Sequence, residues 1–156
     1  MNQRKLSRVL MLAGGIAALG LIFLFYIYAV YLLLFWKERI PNAIGHMALG
    51  IPYMIALWHY FRICGNIGND RSFCVENAQR MNAIARLLFI ASGMWAAALI
   101  AVVLMNIGMI AGYTALLLVE IILALMATVA VGLVAKMLAL LVGRASRLQE
   151  ENDLTI

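Results

Sequence analysis

Long apolar stretches separated by short charged segments dominate this sequence. Four stretches contain no Asp, Glu, Lys or Arg, and they cover residues 9–36, 40–61, 87–119 and 121–135. A helix needs about 20 apolar residues to cross the hydrocarbon layer of a bilayer. Strands that cross a bilayer would instead show alternating segments of about ten residues. Because these stretches are continuous, they predict membrane-spanning helices.

The third stretch is too long for one span and contains a segment typical of a turn. MNIGMIAGY, residues 105–113, has one asparagine and two glycines, and such clusters favour tight turns. The pattern therefore predicts four spans, at residues 9–36, 40–62, 86–106 and 112–136. We expect an all-α membrane protein, in which a four-transmembrane-helix bundle of residues 1–143 precedes a cytoplasmic C-terminal tail of residues 144–156.

The segment before the third span has a helical period. Its apolar residues recur at spacings of three and four, at Val75, Ala78, Met81, Ala85 and Leu88. Glu76 and Arg80 lie on the opposite face as an i,i+4 pair in the favourable order. The period predicts a short cytoplasmic amphipathic helix that lies on the inner leaflet and runs into the third span. Such a helix is either a simple membrane-surface elbow or a docking surface for a partner, and no nucleophile–base pair accompanies it to indicate catalysis.

Composition supports a lipid environment and excludes several functions. The chain is 66% hydrophobic and 12% charged, with a net charge of +5, whereas soluble domains are about 45–50% apolar and about 25% charged. The basic residues lie at the ends of apolar stretches rather than on an open polar face, so we expect no direct nucleic-acid binding. The two cysteines have no metal-type spacing, and we expect no metal, no cofactor and no enzymatic activity.

The distribution of Lys and Arg predicts the topology. Ten of the twelve basic residues precede the first span, follow the last span or lie between residues 62 and 86. The positive-inside rule places these segments, and thus both termini, in the cytoplasm. The first apolar stretch exceeds the roughly 7–15 residues of a signal peptide, which indicates a retained helix. We expect a multi-pass protein of the bacterial cytoplasmic (inner) membrane, where Cys64 and Cys74 stay reduced.

Glu120 interrupts the last apolar stretch. A carboxyl group at the centre of a membrane helix costs about 2.5 kcal/mol or more on insertion scales. With a helical rise of about 1.5 Å per residue, Glu120 and His46 have similar depths in the outer half of the bilayer, and Asn106 lies near the outer surface. We expect Glu120 to face the bundle interior near His46, in an intramembrane polar cluster of Glu120, His46 and Asn106. The cluster is either structural or a proton or ligand site; the remaining alternative is that Glu120 reaches the membrane interface unpaired.

Small residues follow Glu120 at intervals of four, at Ala124, Thr128 and Gly132. Small residues at this spacing let helices approach closely. The stripe therefore predicts either packing within the bundle or a seam between the subunits of a homo-oligomer.

Two short motifs resemble a known family. The segment GNDRSFCVEN, with Phe73, Glu76 and Asn77, resembles the central loop of the bacterial domain of unknown function 2975 family, and EENDLTI at the C-terminus is similar to that family's ending. Cys74 stands where threonine is usual, which weakens the expected helix cap. The resemblance implies a four-span membrane protein that is paired with a small helix-turn-helix regulator, and it implies no enzymatic activity.

The C-terminal segment combines a helical period with an acidic end. Apolar residues at Leu138, Leu141, Ala145 and Leu148 predict that the last helix continues into the cytoplasm. The acidic and apolar residues beyond them form either a frayed helix end or a short partner-binding motif. We expect the docking residues to be Phe73, Glu76, Asn77, Glu150, Glu151, Asp153, Leu154 and Ile156.

Three functions compete. The first is a membrane-bound regulatory partner, sequestering or signalling, of a small cytoplasmic transcription factor. The second is a small transporter or channel that uses Glu120 and His46. The third is a structural subunit of a membrane complex.

Overall fold

The computed structural model describes residues 3–35, 40–105 and 112–154, and within these ranges the chain is almost entirely helical and contains no strand. The elements in chain order are α1 (Gln3–Ile22), a π-helical turn (Phe23–Ile27), α2 (Tyr28–Phe35), α3 (Ile40–Gly68), α4 (Val75–Met105) and α5 (Gly112–Leu154). Because α1, the π turn and α2 follow one another without a break, the chain forms four long helical segments. The all-α fold class is confirmed.

Each long segment packs antiparallel to the next. The first segment packs against α3, α3 against α4, and α4 against α5. All four segments meet in one core cluster of buried side chains, Phe25, Leu49, Trp95 and Ile121. The Phe25 ring, in the π turn, stacks on Tyr53 with ring centroids 5.3 Å apart. Gly50 makes room for this ring, since a Cβ at Gly50 would lie 3.0 Å from the Phe25 Cβ.

The beginning of α1, the α3–α4 turn and the C-terminal part of α5 lie at one end of the molecule. Ser7 near the start of α1 contacts Cys64 near the end of α3, and a Cβ at Gly143 of α5 would lie 3.7 Å from Ala78 of α4. We call this region the charged end and define it as residues 3–8, 62–86 and 136–152. The arrangement is the one that the predicted topology requires, and the cytoplasmic orientation of this end stays a prediction.

Among the residues that the structure describes, three helices are long and apolar enough to cross a membrane, at Gln3–Ile27, Val75–Met105 and Ala115–Asn152. They indicate a membrane protein. The prediction of four spans is not confirmed, because α3 is not among these helices. The interior of α3 carries Pro52, His59 and two tyrosines, which lower its hydropathy. This helix packs against both the first segment and α4.

The predicted amphipathic helix exists only as the first part of α4, which runs without interruption from Val75 to Met105. The predicted apolar face is real, because Ala85 and Leu88 are buried. It packs against α5, however, where Gly132 lies opposite Leu88 and Gly143 opposite Ala78. The helix runs into the third predicted span as expected, but the prediction that its apolar face lies on the leaflet is wrong. The helical period identifies an apolar face and does not show whether lipid or protein covers it.

The small-residue stripe of α5 also packs within the chain. Thr128 is buried, and a Cβ at Gly132 would lie 3.3 Å from the ring of Phe89. This is the intramolecular packing that the spacing predicted. A homo-oligomer stays a prediction, and this part of the stripe is already occupied by α4.

Candidate functional site

The α3–α4 turn at the charged end is held together by the side chain of Asn77, which is fully buried. Its Nδ2 donates to the carbonyl oxygens of Arg71 and Ser72, each at 3.0 Å. Its Oδ1 accepts from Nδ2 of Asn66 at 2.8 Å. Buried amides in proteins are nearly always hydrogen-bonded, and here one amide joins the end of α3, the turn and the start of α4.

The backbone of the turn reverses within a few residues. The amide groups of Asn69 and Arg71 donate to the carbonyl oxygen of Asn66, and Asp70 has a φ of 59°. This left-handed conformation is one that Asp and Asn adopt more readily than most residues. The start of α4 is closed by backbone bonds from Asn77 and Ala78 to the carbonyl of Cys74. Asn77 thus fixes the turn next to Cys74, the residue that precedes α4.

The N-terminal part of α1 fastens onto the same turn. Oγ of the buried Ser7 donates to the carbonyl of Cys64 at 2.7 Å, and a Cβ at Gly68 would lie 2.9 Å from that Oγ. Oγ of Ser72 donates to Oε1 of Gln3 at 2.8 Å. The glycine is required here because the hydroxyl of Ser7 occupies the space of a side chain. The turn therefore has contacts with α1, α3 and α4.

The predicted docking residues near this turn have different environments. Phe73 is 60% exposed. Glu76 forms an ion pair with Arg80, with 2.6 Å between Oε1 and Nη2. Asn77 has no exposed surface, so the expectation that it contacts a partner is corrected. Its amide group instead makes hydrogen bonds within the turn. A sequence pattern does not distinguish a polar residue in solvent from one that is buried with three partners.

The end of α5 extends past the start of α4. Since Gly143 lies opposite Ala78 and the helices are antiparallel, residues after about 146 have passed Val75. Ser146 is buried, whereas every residue from 147 to 152 is exposed. The exposed set includes Leu148, at 63% exposure, together with Glu150 and Glu151. The side chains of Asp153 and Leu154, and all of Ile156, lie outside the described residues.

The predicted intramembrane polar cluster differs from the structure in one respect. Glu120 is exposed on the surface of the isolated chain, so the expectation that it faces the bundle interior is wrong. The physical reason is that Ile121 turns into the core instead, which directs the preceding side chain outward. The His46 side chain and Asn106 lie outside the described residues, and the cluster itself stays a prediction.

A different polar network crosses the apolar part of the bundle. Nε1 of Trp95 donates to the hydroxyl of Tyr53 at 2.9 Å, and that hydroxyl lies 2.6 Å from Oγ1 of Thr128. Thr128 in turn donates to the carbonyl of Ala124. Since the Thr128 proton is thereby used, Tyr53 donates to Thr128. The sequence analysis missed this network, although Tyr and Trp in an apolar stretch are a signal, because their polar atoms need partners when buried.

No group of three or more His, Cys, Asp or Glu side chains suited to a metal ion occurs in the part of the chain that the structure describes. Cys64 is buried and Cys74 half-buried, and both are free thiols.

Comparison with known proteins gives one match. The model of a family described as "Protein of unknown function (DUF2975)" matches residues 6–156. The matched region includes both motifs on which the resemblance rested, and the resemblance is confirmed. No curated protein and no solved structure matches this chain.

Proposed function

The chain belongs to the DUF2975 family, and we propose that it is a membrane-bound regulatory protein that binds a small cytoplasmic transcription factor at its charged end. The observation that carries the proposal is the projecting end of α5. It combines exposed Leu148 with the acidic Glu150 and Glu151, which are also exposed and follow the buried Ser146. The helix-turn-helix class of the partner comes from the family resemblance.

The length of α5 supports this role. Eighteen residues follow Lys136 within the helix, which corresponds to about 27 Å at a rise of about 1.5 Å per residue. A span needs only about 20 residues, so a helix of 43 residues extends well beyond the hydrocarbon layer. A span alone does not account for this extension.

Charge supports a basic partner. Exposed basic residues Arg4, Lys5 and Arg8 surround the start of α1 at this end, while the acidic residues are concentrated at the end of α5. The anionic inner leaflet repels carboxylates, which favours their presentation to the cytoplasm. A DNA-binding protein carries a basic surface for phosphates, and the acidic helix end would compete with DNA for that surface. Through this competition, the membrane protein would sequester the regulator from DNA.

Rigidity at the charged end supports binding as well. The turn beside Phe73 is fixed by the Asn77 bonds, and the α5 end continues a helix that is packed as far as Ser146. A pre-ordered surface loses less conformational entropy on binding than a flexible one. The transporter alternative gains no such support, because Glu120 is exposed rather than directed into the bundle.

Affinity capture of basic helix-turn-helix proteins from native membranes tests the proposal. Deleting residues 150–156 removes the acidic end but leaves the packed Ser146 in place, so we expect normal membrane insertion and loss of the captured regulator. Replacing Glu150 and Glu151 by Gln should weaken capture most at low salt, since exposed charges are screened within about 8 Å at physiological ionic strength.

The matched control is Asp70→Asn, which removes an exposed carboxylate from the same end and keeps a residue that tolerates positive φ. We expect this variant to capture the regulator at the yield of the unaltered chain. Equal capture by the truncated and complete chains would contradict the proposed function.

A further inference from the structure

A groove between α3 and α4 lies where the charged end meets the apolar part of the bundle. Its volume is about 400 Å³, within the range of small-molecule sites. Three apolar and four polar side chains line it: Ile55, His59, Gln79, Asn82, Ala83, Arg86 and Leu87. None of these lining residues is acidic. The groove therefore offers hydrogen-bond donors and positive charge without an internal counter-charge.

Two cationic side chains have spare hydrogen-bonding capacity: Arg86 in the lining of the groove, and Lys136 beside it, in contact with the lining residue Asn82. Arg86 is exposed and makes no hydrogen bond or ion pair with any described residue. Nζ of Lys136 donates to Oδ1 of Asn82 at 2.6 Å, which uses one of its three N–H groups. By contrast, Arg80 is already paired with Glu76. Arg86 and Lys136 thus retain N–H groups that are available to a ligand.

His59 adds an unsatisfied polar atom. Its Nδ1 is buried and has no hydrogen-bond partner among the described residues, although buried polar atoms are nearly always paired. The ring lies against Trp58, with centroids 4.9 Å apart, so the neighbouring aromatic holds its position. His59 is therefore a lining residue of the groove whose ring has one nitrogen still available for a hydrogen bond.

The surroundings of the groove are those of a membrane interface. Arg86 is the last charged residue of α4 before a stretch without charges, and the adjacent Phe89 and Ile90 are exposed. On α3, Trp58 is exposed and Arg62 lies over its ring at 5.4 Å. Trp is enriched where bilayer and water meet. An exposed Trp beside Arg residues at the end of an apolar stretch is typical of the depth at which lipid phosphates lie.

We propose that this groove binds a phosphate group through Arg86 and Lys136, with Asn82 and His59 as further polar contacts. Arg and Lys are the residues that recognise phosphate, Arg by two parallel hydrogen bonds and Lys by its compact charge. The apolar side chains Ile55, Ala83 and Leu87 line the rest of the groove. The phosphate belongs either to a phospholipid headgroup or to a free anion, and the site is independent of the regulator-binding end of α5.

Native mass spectrometry of the complete chain in detergent tests the site. Phosphatidylglycerol should bind, and diacylglycerol with identical acyl chains, which lacks the phosphate, should not. Arg86→Gln should weaken phosphatidylglycerol binding about fivefold, the factor expected for one basic residue near an anionic headgroup, and adding Lys136→Gln should weaken it further. Arg86→Lys keeps the charge and should retain most of the binding. Inorganic phosphate added at millimolar concentration identifies the source, because competition indicates that the free anion also occupies the groove.

The matched control is Arg147→Gln, which removes an exposed cation of α5 outside the groove and should leave binding unchanged. Thermal unfolding without lipid checks that each variant is folded, and Arg86 is exposed, so its replacement should not alter the unfolding midpoint. Equal binding of the two lipids without competition by phosphate, or equal weakening by Arg147→Gln and Arg86→Gln, would overturn the proposal.

Discussion

The charged end and the apolar part of the bundle are stabilised in different ways. At the charged end a few side chains bond to backbone groups, above all Asn77 in the α3–α4 turn and Ser7 on α1. In the apolar part, aromatic rings pack into spaces left by glycine, as Phe25 does at Gly50. In lipid, the hydrophobic effect contributes little to helix association, so close packing and hydrogen bonds between helices stabilise the bundle. A single polar residue should therefore matter more at the charged end than in the apolar part.

The largest effect is expected for Asn77→Ala. The substitution removes three hydrogen bonds and leaves buried groups of Arg71, Ser72 and Asn66 without their partner. Each unsatisfied buried group costs about 1–3 kcal/mol, and partial rehydration at the turn should limit the total loss to about 2–4 kcal/mol.

Thermal unfolding in detergent measures this loss, and Asn69→Ala is its control because Asn69 is exposed on the same turn. If the two variants unfold at the same temperature, the side chain of Asn77 does not stabilise the turn. That result would contradict the claim that a single polar residue matters more at the charged end than in the apolar part.

An intermediate effect is expected for Gly14→Ala in the apolar part. A Cβ at Gly14 would lie 2.5 Å from the ring of Tyr60, whose hydroxyl is held by the carbonyl of Leu10 at 2.8 Å. Because the ring is tethered at its hydroxyl, it has little freedom to move away, and overpacking of this kind costs about 1–3 kcal/mol.

Gly15→Ala provides the matched comparison, since a Cβ there meets nothing within 4 Å. Alanine is the better helix former by about 1 kcal/mol, so this neighbouring substitution should be neutral or stabilising. Equal destabilisation by both substitutions would show that helix propensity or lipid contact, and not packing on Tyr60, determines the result.

The smallest effect is expected for Tyr53→Phe, which removes the hydroxyl that joins Trp95 to Thr128. Hydrogen bonds between membrane helices contribute about 0.6 kcal/mol on average. The stacking of the ring on Phe25 should persist. Tyr26→Phe is the control, because the Tyr26 hydroxyl makes no hydrogen bond with the described residues. If Tyr53→Phe lowered the free energy of unfolding much more than Asn77→Ala does, the comparison between the two regions would be reversed.

The sequence predicted the features that depend on local pattern. Charge-free stretches predicted helices, and the spacing of Ala85 and Leu88 predicted the face of α4 that is buried. The continuation of α5 beyond Lys136 followed from the same kind of spacing, and the helix does extend to Leu154.

The features that depend on the partner of a residue were not predictable in this way. Lipid and protein are both apolar surroundings, so the period of α4 did not reveal that α5 covers it. From their polar side chains we expected Asn77 on the surface and Glu120 in the interior of the bundle. Both inferences are wrong, because the burial of a side chain depends on which groups surround it in the folded chain. The Tyr53 network and the groove at Arg86 likewise join residues that are far apart in the sequence.

Accessibility of the α5 end in intact cells tests the central claim most directly, because a cytoplasmic regulator can bind only if the charged end faces the cytoplasm. Leu148→Cys places a thiol at an exposed position, in a chain whose Cys64 and Cys74 are replaced by Ser. Met105→Cys places one at the opposite end, where Met105 is 84% exposed. The account predicts that a membrane-impermeant thiol reagent labels position 105 before lysis and position 148 only after lysis. Labelling of position 148 in intact cells would contradict it.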